Sequence, residues 1–531
     1  MANYYPIKCP YCLKAHNNAT VRFRLEEAHE THKKKIARKS GGSIYDPQPE
    51  VGSTWYNTDN TIDDNWDTDD TNASDAQNAF STDSGRPRTL PTSGYYTYPE
   101  LQEIFGPENV RTETKTVIAL PALTSDEYNG DLIIGVTIKV TEGDMEIEKT
   151  MRNRYCDCDD DRKINASSGS IPSYVILIMG SSDSGKTAYL ISLYHALSQK
   201  SRYSFPPTPD PNKAIASLWL SVASEGYQER DIETMTEELF SDGKLPRTTI
   251  DMTNEPLTME VTIRFNKTGL VNKALLFIRD MPGEYFTRRE RQGELQRIMS
   301  QFPRFDGFLI TFDPMTFDNT VFPSEDVDKD RQRRSQVSRL RQAIMNNIAP
   351  TMANNMIAQP TVALVTKGDM FFDREYVQAL RSRGISYAAP LLTVTQKESY
   401  DKPYFEEVNE GARMVVQKLS GNIADLMGAH FSNAYFSMVS ALCRNPVEIY
   451  KDRDGNRWVR TPSAINPWHV ADPMLRLLMK LHIVPPLDET NSRVKAGETQ
   501  DERNARVFRN RGIINEWGAK YCSGGSNVNL V

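Results

Sequence analysis

The chain has 531 residues, a formal net charge of −7 and six cysteines. That length holds about two to four domains, and the acidic balance argues against a nucleic-acid partner. No apolar run approaches the roughly 18 residues needed to span a bilayer. The N-terminus, MANYYPIKCPYC, lacks the basic and apolar regions of a signal peptide, so a soluble cytoplasmic protein is expected.

Four of the six cysteines fall in two close pairs, which points to metal in a reducing compartment rather than to a disulfide framework. Cys9 and Cys12 form a C-x-x-C, which suits a zinc knuckle or a redox pair. The redox reading wants a βαβ pattern around it, and none is visible. Zinc takes four thiolate or imidazole ligands tetrahedrally. Cys156 and Cys158 are the next cysteines and would complete the set if the segment between is an insertion; His16 is an alternative ligand. Residues 26–39, EEAHETHKKKIARK, read as a charged, solvated helix, with His29 and His32 at i, i+3. Residues 1–45 are therefore taken as a knuckle and a charged helix.

Residues 46–100 are rich in Asp, Asn, Ser, Thr, Pro and Gly and have little to bury, so a disordered acidic insertion is expected. Trp55, Trp66, Tyr95 and Tyr96 would let it dock on a surface. Residues 101–170 read as a small β element completing the zinc ribbon, with strands at 117–120 and 131–140 and an Asn129-Gly130 turn. SSGS at 167–170 reads as a linker.

Residues 171–484 carry the chemistry. An apolar run at 174–179 is short enough for a buried strand. It leads into Gly180-Ser-Ser-Asp-Ser-Gly185-Lys186-Thr187, and then into a helical pattern with Leu190, Ile191, Tyr194 and Leu197 on one face. Strand, G-x-x-x-x-G-K-[ST], helix is a phosphate-binding loop in its confirming context. Gly180 and Gly185 let bare N–H groups face polyphosphate. Ser182, Asp183, Ser184 and Ala188 complete the cradle, and the helix N-terminus adds its positive end. Lys186 would reach the β- and γ-phosphates, and Thr187 would ligate Mg²⁺.

Three later strand ends refine this. The run at 274–278 leads to Asp280-Met-Pro-Gly283, where Asp280 would hold Mg²⁺ through water and the Gly283 N–H would meet the γ-phosphate. The strand at 360–365 is followed by Thr366-Lys367-Gly368-Asp369. There a carboxylate accepts from guanine N1–H and N2, the lysine stem covers the base, and the Thr366 hydroxyl stands in for the more usual amide. The strand at 433–439 ends in Ser440-Ala441-Leu442, a turn whose N–H can meet guanine O6.

GSSDSGKT, DMPG, TKGD and SAL, in this order and each at a strand end, resemble four boxes of a P-loop GTPase. Asp183 within the loop, with Thr187 closing it, resembles the translation-factor-related (TRAFAC) class. A cysteine knuckle before such a domain resembles bacterial GTPase-domain proteins of conflict or defence type. The resemblance spans 180–442. It implies an α/β fold of the G-domain kind, a mostly parallel sheet flanked by helices, with Mg²⁺-dependent GTP hydrolysis and two switch loops.

The remaining parts follow from position. Residues 214–240 read as helical and would cap the nucleotide or meet a partner. In Pro246-Arg247-Thr248-Thr249, Thr249 is favoured as the switch threonine binding Mg²⁺ and γ-phosphate, and Arg247 could add charge. LTMEVTIRF at 257–265 alternates like an edge strand pairing with 274–279. Glu284 stands where family members orient water; as an acid it would also repel the γ-phosphate, so slow turnover is expected. Arg288 and Arg289 could compensate. GFLITF at 307–312 is a strand, and 325–349 a charged helix with Val337, Leu340, Ile344 and Ile348 as its stripe. Residues 405–427 read as one helix, Asp454-Gly455 as a hairpin turn, and 472–483 as a closing amphipathic helix. Residues 485–531 form a polar tail, Cys443 and Cys522 are expected to be inert, and no internal repeat suggests a second GTPase domain.

The sequence therefore reads as a GTP- and Mg²⁺-dependent regulatory GTPase with structural Zn²⁺. It would act on a protein partner through the switch loops, insertion or tail, and is compatible with a homo-oligomer. The alternatives are an ATPase of another P-loop class and a nucleotide-stabilised scaffold that does not hydrolyse.

Overall fold

In the computed structural model the described residues are 3–35, 94–120, 123–142, 145–158, 162–182, 184–205, 214–223, 227–245, 256–286, 292–316, 356–372, 402–442, 448–451, 457–460 and 465–486, with short pieces within 331–345, 378–382 and 499–502. The bulk of the expected acidic insertion, and nearly all of the tail, lie outside them.

The N-terminal part is built from strands β1 (Ile7–Lys8), β2 (Ala15–His16), β3 (Arg22–Arg24), β4 (His29–Lys35) and β5 (Tyr95–Thr97), helix α1 (Tyr98–Phe105), and strands β6 (Val110–Lys115), β7 (Leu132–Glu142), β8 (Met145–Met151), β9 (Arg154–Tyr155) and β10 (Lys163–Ile164). They make a β1–β2 hairpin and two four-stranded sheets, β10-β9-β3-β5 and β4-β8-β7-β6. Residues before 36 and after 93 share one core, which includes Ile7, Phe23, Leu101, Leu132, Val136 and Cys156. The cysteine pairs, far apart in sequence, therefore belong to a single packed unit.

Three expectations change here. Residues 29–35 form strand β4, not a helix: Lys34 faces Glu146 across the β4–β8 ladder, and opposite charges across a ladder stabilise it as they would along a helix. Residues 117–120 form no strand; Ile118 makes only an isolated bridge to Asn3. Thr97, the last residue of β5, caps α1 reciprocally with Glu100. The 167–170 segment is also more than a linker. The buried Arg154 guanidinium donates to the carbonyls of Asn165, Ala166 and Ser168, and the Ser168 hydroxyl accepts from the Lys8 N–H at 3.0 Å.

The main unit contains β11 (Ser173–Gly180), α2 (Lys186–Leu197), β12 (Tyr203–Phe205), β13 (Ala216–Val222), α3 (Tyr227–Asp242), β14 (Leu257–Phe265), β15 (Val271–Asp280), α4 (Gln292–Ser300), β16 (Gly307–Phe312), β17 (Thr361–Val365), α5 (Lys402–Leu419), α6 (Gly421–His430), β18 (Ala434–Met438), the pair β19 (Glu448–Lys451) and β20 (Arg457–Arg460), and α7 (Asp472–Lys480). Its eight-stranded sheet has the order β12-β13-β14-β15-β11-β16-β17-β18. From β15 to β18 every pairing is parallel, whereas β12, β13 and β14 are joined antiparallel. All eight residues of β11 are buried, as expected for a parallel strand covered on both faces. Alternate residues feed the two cores. Val175, Leu177 and Met179 meet one layer with α5 and α6, and Tyr174, Ile176 and Ile178 meet the other with α2 and α7.

The sheet corrects further expectations. β14 does pair with β15, but it is interior, because residues 203–205 and 216–222 extend the sheet beyond it. Residues 216–222 are a strand, with Ala216, Leu218 and Leu220 on the buried face, and helix begins only at Tyr227. Residues 405–427 are two helices, broken at Ser420-Gly421, where Ser420 leaves the helical region (φ −150°, ψ 67°). α2 is buried on most sides, not along one stripe, because α3 covers it: the Tyr194 hydroxyl donates to Glu233 at 3.0 Å. Strands β19 and β20 pair antiparallel, while the Asp454-Gly455 turn expected between them lies outside the described residues; Leu340 and Ile344 enter the main core.

Candidate functional site

β11 is flanked by β15 on one side and β16 on the other, so its carboxyl end opens at a topological switch point, where α/β sheets bind ligands. The loop 180–187 leaves β11 there. Gly185 adopts φ +81° at the N-cap of α2, a conformation glycine takes without strain. A Cβ on Gly180 would overlap the Thr311 side chain. Lys186 is 5% exposed, and its ammonium donates to the carbonyls of Gly180 (3.2 Å) and Ser181 (2.9 Å). Thr187 and Ala188 occupy the first turn of α2, Ser182 is half-buried, and Asp183 lies outside the described residues.

Asp280 ends β15 in register with Ile178, two residues before Gly180, and the Met281 N–H bonds the Ile178 carbonyl at 2.9 Å. Gly283 lies directly on the phosphate loop: a Cβ there would overlap the Ser182 nitrogen and the Ser181 carbonyl carbon. Glu284 follows in a single 3-10 turn, Gly283–Phe286. Its side chain, and Arg247, Thr248, Thr249, Arg288 and Arg289, lie outside the described residues, as do Cys443 and Cys522.

The far side of the site is tied to the loop by hydrogen bonds. The Thr366 hydroxyl donates to the Ser184 carbonyl at 2.6 Å, and the Ser184 and Thr311 hydroxyls meet at 2.8 Å. Ser440 donates to Asp369 Oδ1 at 2.6 Å, and the Ser192 hydroxyl of α2 donates to the Ala441 carbonyl at 2.9 Å. Gly368 admits the close approach of Met438 and Trp468, whose atoms would stand 2.8 and 3.0 Å from a Cβ. Leu442 ends this loop, half-buried. Residues from four strand ends thus converge on one edge.

One residue was missed in the sequence. Asp313, fully buried after β16, accepts from the Lys367 ammonium at 2.5 Å, while Lys367 itself sits at φ +54°. An acid followed by proline at the end of GFLITF was the signal: it follows a buried strand at the same sheet edge as the other boxes.

A second site lies in the N-terminal unit. The sulfurs of Cys9, Cys12, Cys156 and Cys158 lie within 4.8 Å of one another, and Cys12 and Cys156 are 3.3 Å apart. This spacing matches the edges of a tetrahedral thiolate shell of ~2.3 Å metal–sulfur bonds. Crowding forces protons onto some of them: hydrogen bonding to Cys12 is the main reason the Cys9 thiol is pushed up to about 12, and it raises Cys156 as well. A divalent cation would relieve that crowding, so the donor set fits zinc. His16 is not needed as one of the four. Its Nε2 lies 3.1 Å from the Cys156 sulfur, the place of an outer partner that orients a ligand.

The sheet order and the loop after β11 define a P-loop nucleoside-triphosphatase fold of the G-domain kind. A family model described as Double-GTPase 2 matches residues 174–414. No curated protein sequence matches the chain significantly. Among solved structures, the chain is similar to the Saccharomyces cerevisiae Ski7 GTPase-like domain bound to GTP, at 14% identity over 59% of this chain and 50% of that one, with a TM-score of 0.26. The same domain bound to GDP and inorganic phosphate aligns at 13% identity over the same shares, with the same score. A septin GTPase domain from Chlamydomonas reinhardtii aligns at 14% identity over 64% of this chain and 98% of that one, with a TM-score of 0.23. The chain thus spans half the length of the Ski7 chains it matches. No helix among the described residues is long and apolar enough to cross a membrane.

Proposed function

We propose that the chain binds GTP with Mg²⁺ and hydrolyses it slowly, as a switch controlled by a protein partner. The observation that carries this reading is the Ser440–Asp369 hydrogen bond at 2.6 Å, on a loop that Thr366 ties to the phosphate cradle. It holds a carboxylate at the same sheet edge as Lys186. A carboxylate can accept from guanine N1–H and N2, and adenine offers no matching pair of donors. Lys367, steadied by Asp313, would lie along the base, and the turn at Ser440, Ala441 and Leu442 would face O6.

The phosphates would lie on the N–H groups of residues 180–188. Lys186 would neutralise charge on the β- and γ-oxygens, and Gly283 would offer its N–H to the γ-phosphate. Thr187, Asp280 and Thr249 would hold Mg²⁺, which when bound neutralises the charge developing on the phosphates. Glu284, an acid at the water-orienting position, supports slow intrinsic turnover and dependence on a partner. Zn²⁺ on Cys9, Cys12, Cys156 and Cys158 would be structural, and four reduced thiols call for a reducing compartment, the cytoplasm. The finer resemblance, to the translation-factor-related class and to knuckle-bearing proteins of defence type, rests on Asp183, Thr187 and the cysteine pairs.

The test is displacement of a fluorescent GTP analogue from the Mg²⁺-supplemented chain. GTP and GDP should displace it at concentrations where ATP does not. Equal displacement by ATP would overturn guanine selection and favour an ATPase.

A further inference from the structure

The loop that carries Cys9 and Cys12 sits against the segment that carries Asp280. Tyr11 lies between Cys9 and Cys12, and its carbonyl accepts from Arg279 Nη1 at 3.1 Å. Arg279 immediately precedes Asp280 and is paired with Leu177 of β11. The same Nη1 lies 3.2 Å from Gln301 Oε1, just after α4. Arg304 Nη1 donates to the Cys12 carbonyl at 3.3 Å. Two carbonyls of one short cysteine loop are therefore read by two arginines of the nucleotide unit.

The next residue strengthens the link. Leu13 is 5% exposed and belongs not to the core of its own unit but to the main core, with Met281, Tyr285, Ile298, Met299 and Phe302. Met281 and Tyr285 flank Gly283, which lies against Ser181 and Ser182. Leu13 is also held at φ +60°, a conformation that leucine keeps only where its surroundings impose it. Cys12 immediately precedes it, and Cys9 lies four residues before. Lys8, just before Cys9, is clamped by Asp306 through both carboxylate oxygens at 2.9 and 2.8 Å, and Asp306 also accepts from the Val175 N–H of β11 at 2.7 Å. The cysteine loop is thus tied by the Tyr11 carbonyl to Arg279, the residue before Asp280, and Leu13 shares one core with Met281, two residues before the Gly283 that lies on the phosphate loop.

We propose that Arg279 is a positioning residue that couples the four-cysteine cluster to the DMPG segment, so that zinc in the cluster and a triphosphate at the phosphate loop tighten one another's binding. A metal that fixes residues 9–12 holds the Tyr11 carbonyl where Arg279 meets it and Leu13 in the core it shares with Met281. A γ-phosphate that draws in the Gly283 N–H holds the other end of the same segment. Linkage then requires the effect to be reciprocal, with one factor seen from both sides. This inference rests on the nucleotide reading above.

The test measures Zn²⁺ affinity of the full chain by competition with a fluorescent zinc chelator, with Mg²⁺ and either GTPγS or GDP at saturation. Zinc should bind at least about fivefold tighter with GTPγS, within the usual range of coupling between sites. The preference of the chain for GTPγS over GDP should rise by the same factor on zinc loading. In Arg279→Met the factor should fall towards one while each ligand still binds. Equal zinc affinities with GTPγS and GDP in the unmodified chain would overturn the coupling and leave the nucleotide reading standing. Guanine nucleotide binding with no zinc uptake would also overturn it alone. A zinc-loaded chain that takes up neither nucleotide would overturn both. Full coupling retained in a folded Arg279→Met would remove the role assigned to Arg279.

Discussion

The Thr366 hydroxyl donates to the Ser184 carbonyl at 2.6 Å, across 182 residues of chain. This contact fixes the distance between the loop proposed to read the base and the loop proposed to hold the phosphates. Thr366→Val keeps the shape and β-branching but leaves the buried Ser184 carbonyl without this donor. Losing such a bond costs about 1–2 kcal/mol, so guanine nucleotide affinity should fall roughly 5- to 30-fold. Titration of a fluorescent GTP analogue into both proteins measures it, and unchanged affinity with unchanged thermal stability would show that the two loops do not depend on this bond.

Ser440 and Asp369 make a sharper prediction about base identity. With its hydroxyl on Oδ1, Ser440 leaves the rest of the carboxylate to face a base. Asp369→Asn replaces an acceptor with a donor, which mismatches guanine N2 and suits the extra carbonyl of xanthine. The expected outcome is a preference for xanthosine triphosphate over GTP, read by competition. Ser440→Ala should weaken GTP binding severalfold without changing that preference, because it frees the carboxylate and leaves its chemistry intact. Retained GTP preference in Asp369→Asn would count against the proposed base contact.

The strands that carry these loops were legible because a parallel strand covered on both faces is a short, unbroken apolar run, as in 174–179, 307–312 and 360–365. Each loop begins where such a run stops, so its position could be read without the fold. The antiparallel extension was not legible. β4 carries its pairing partners in charge, Lys34 against Glu146, and charged residues in a row look the same in an exposed helix. β13 displays its alternation only once β14 is beside it. Asp313 was hidden for another reason: its partner Lys367 lies 54 residues on, and an isolated buried acid has no periodicity. The docking of Leu13 into the main core had no sequence signal, since one leucine between Cys12 and Lys14 fits either unit.

Arg154 should be indispensable to the N-terminal unit. Its guanidinium is buried and donates to three carbonyls of the turn at 165–168. Burial alone draws its pKa down to about 10, so it remains charged at neutral pH. Arg154→Met keeps much of the stem but strips the donors from several carbonyls, at a cost of about 3 kcal/mol or more. Melting followed by circular dichroism should show a large loss. Because the Asn165 amide also donates to the Ala223 carbonyl at 2.7 Å, the loss should extend to the packing of this turn on the main unit. A change within about 0.5 kcal/mol would mean that water replaces the arginine without penalty.

His195 sets a pH signature. Its ring stacks on Phe240 at 3.7 Å with an 11° interplanar angle, near the end of α2, and burial lowers its pKa below the ordinary value of 6.5. A histidine held neutral in the fold binds fewer protons than it does unfolded, in the window between its folded pKa and 6.5. The unfolded state therefore takes up the extra proton, and stability falls as pH drops through that window; above about pH 7 both states are neutral and the term vanishes. His195→Gln forfeits the stacking but cannot titrate. The stability advantage of the unmodified chain over the variant should be constant above about pH 7 and shrink as pH falls below 6.5, read from paired melting curves in matched buffers. A gap that stays constant or widens in acid would mean that the imidazolium is tolerated against Phe240 and α3.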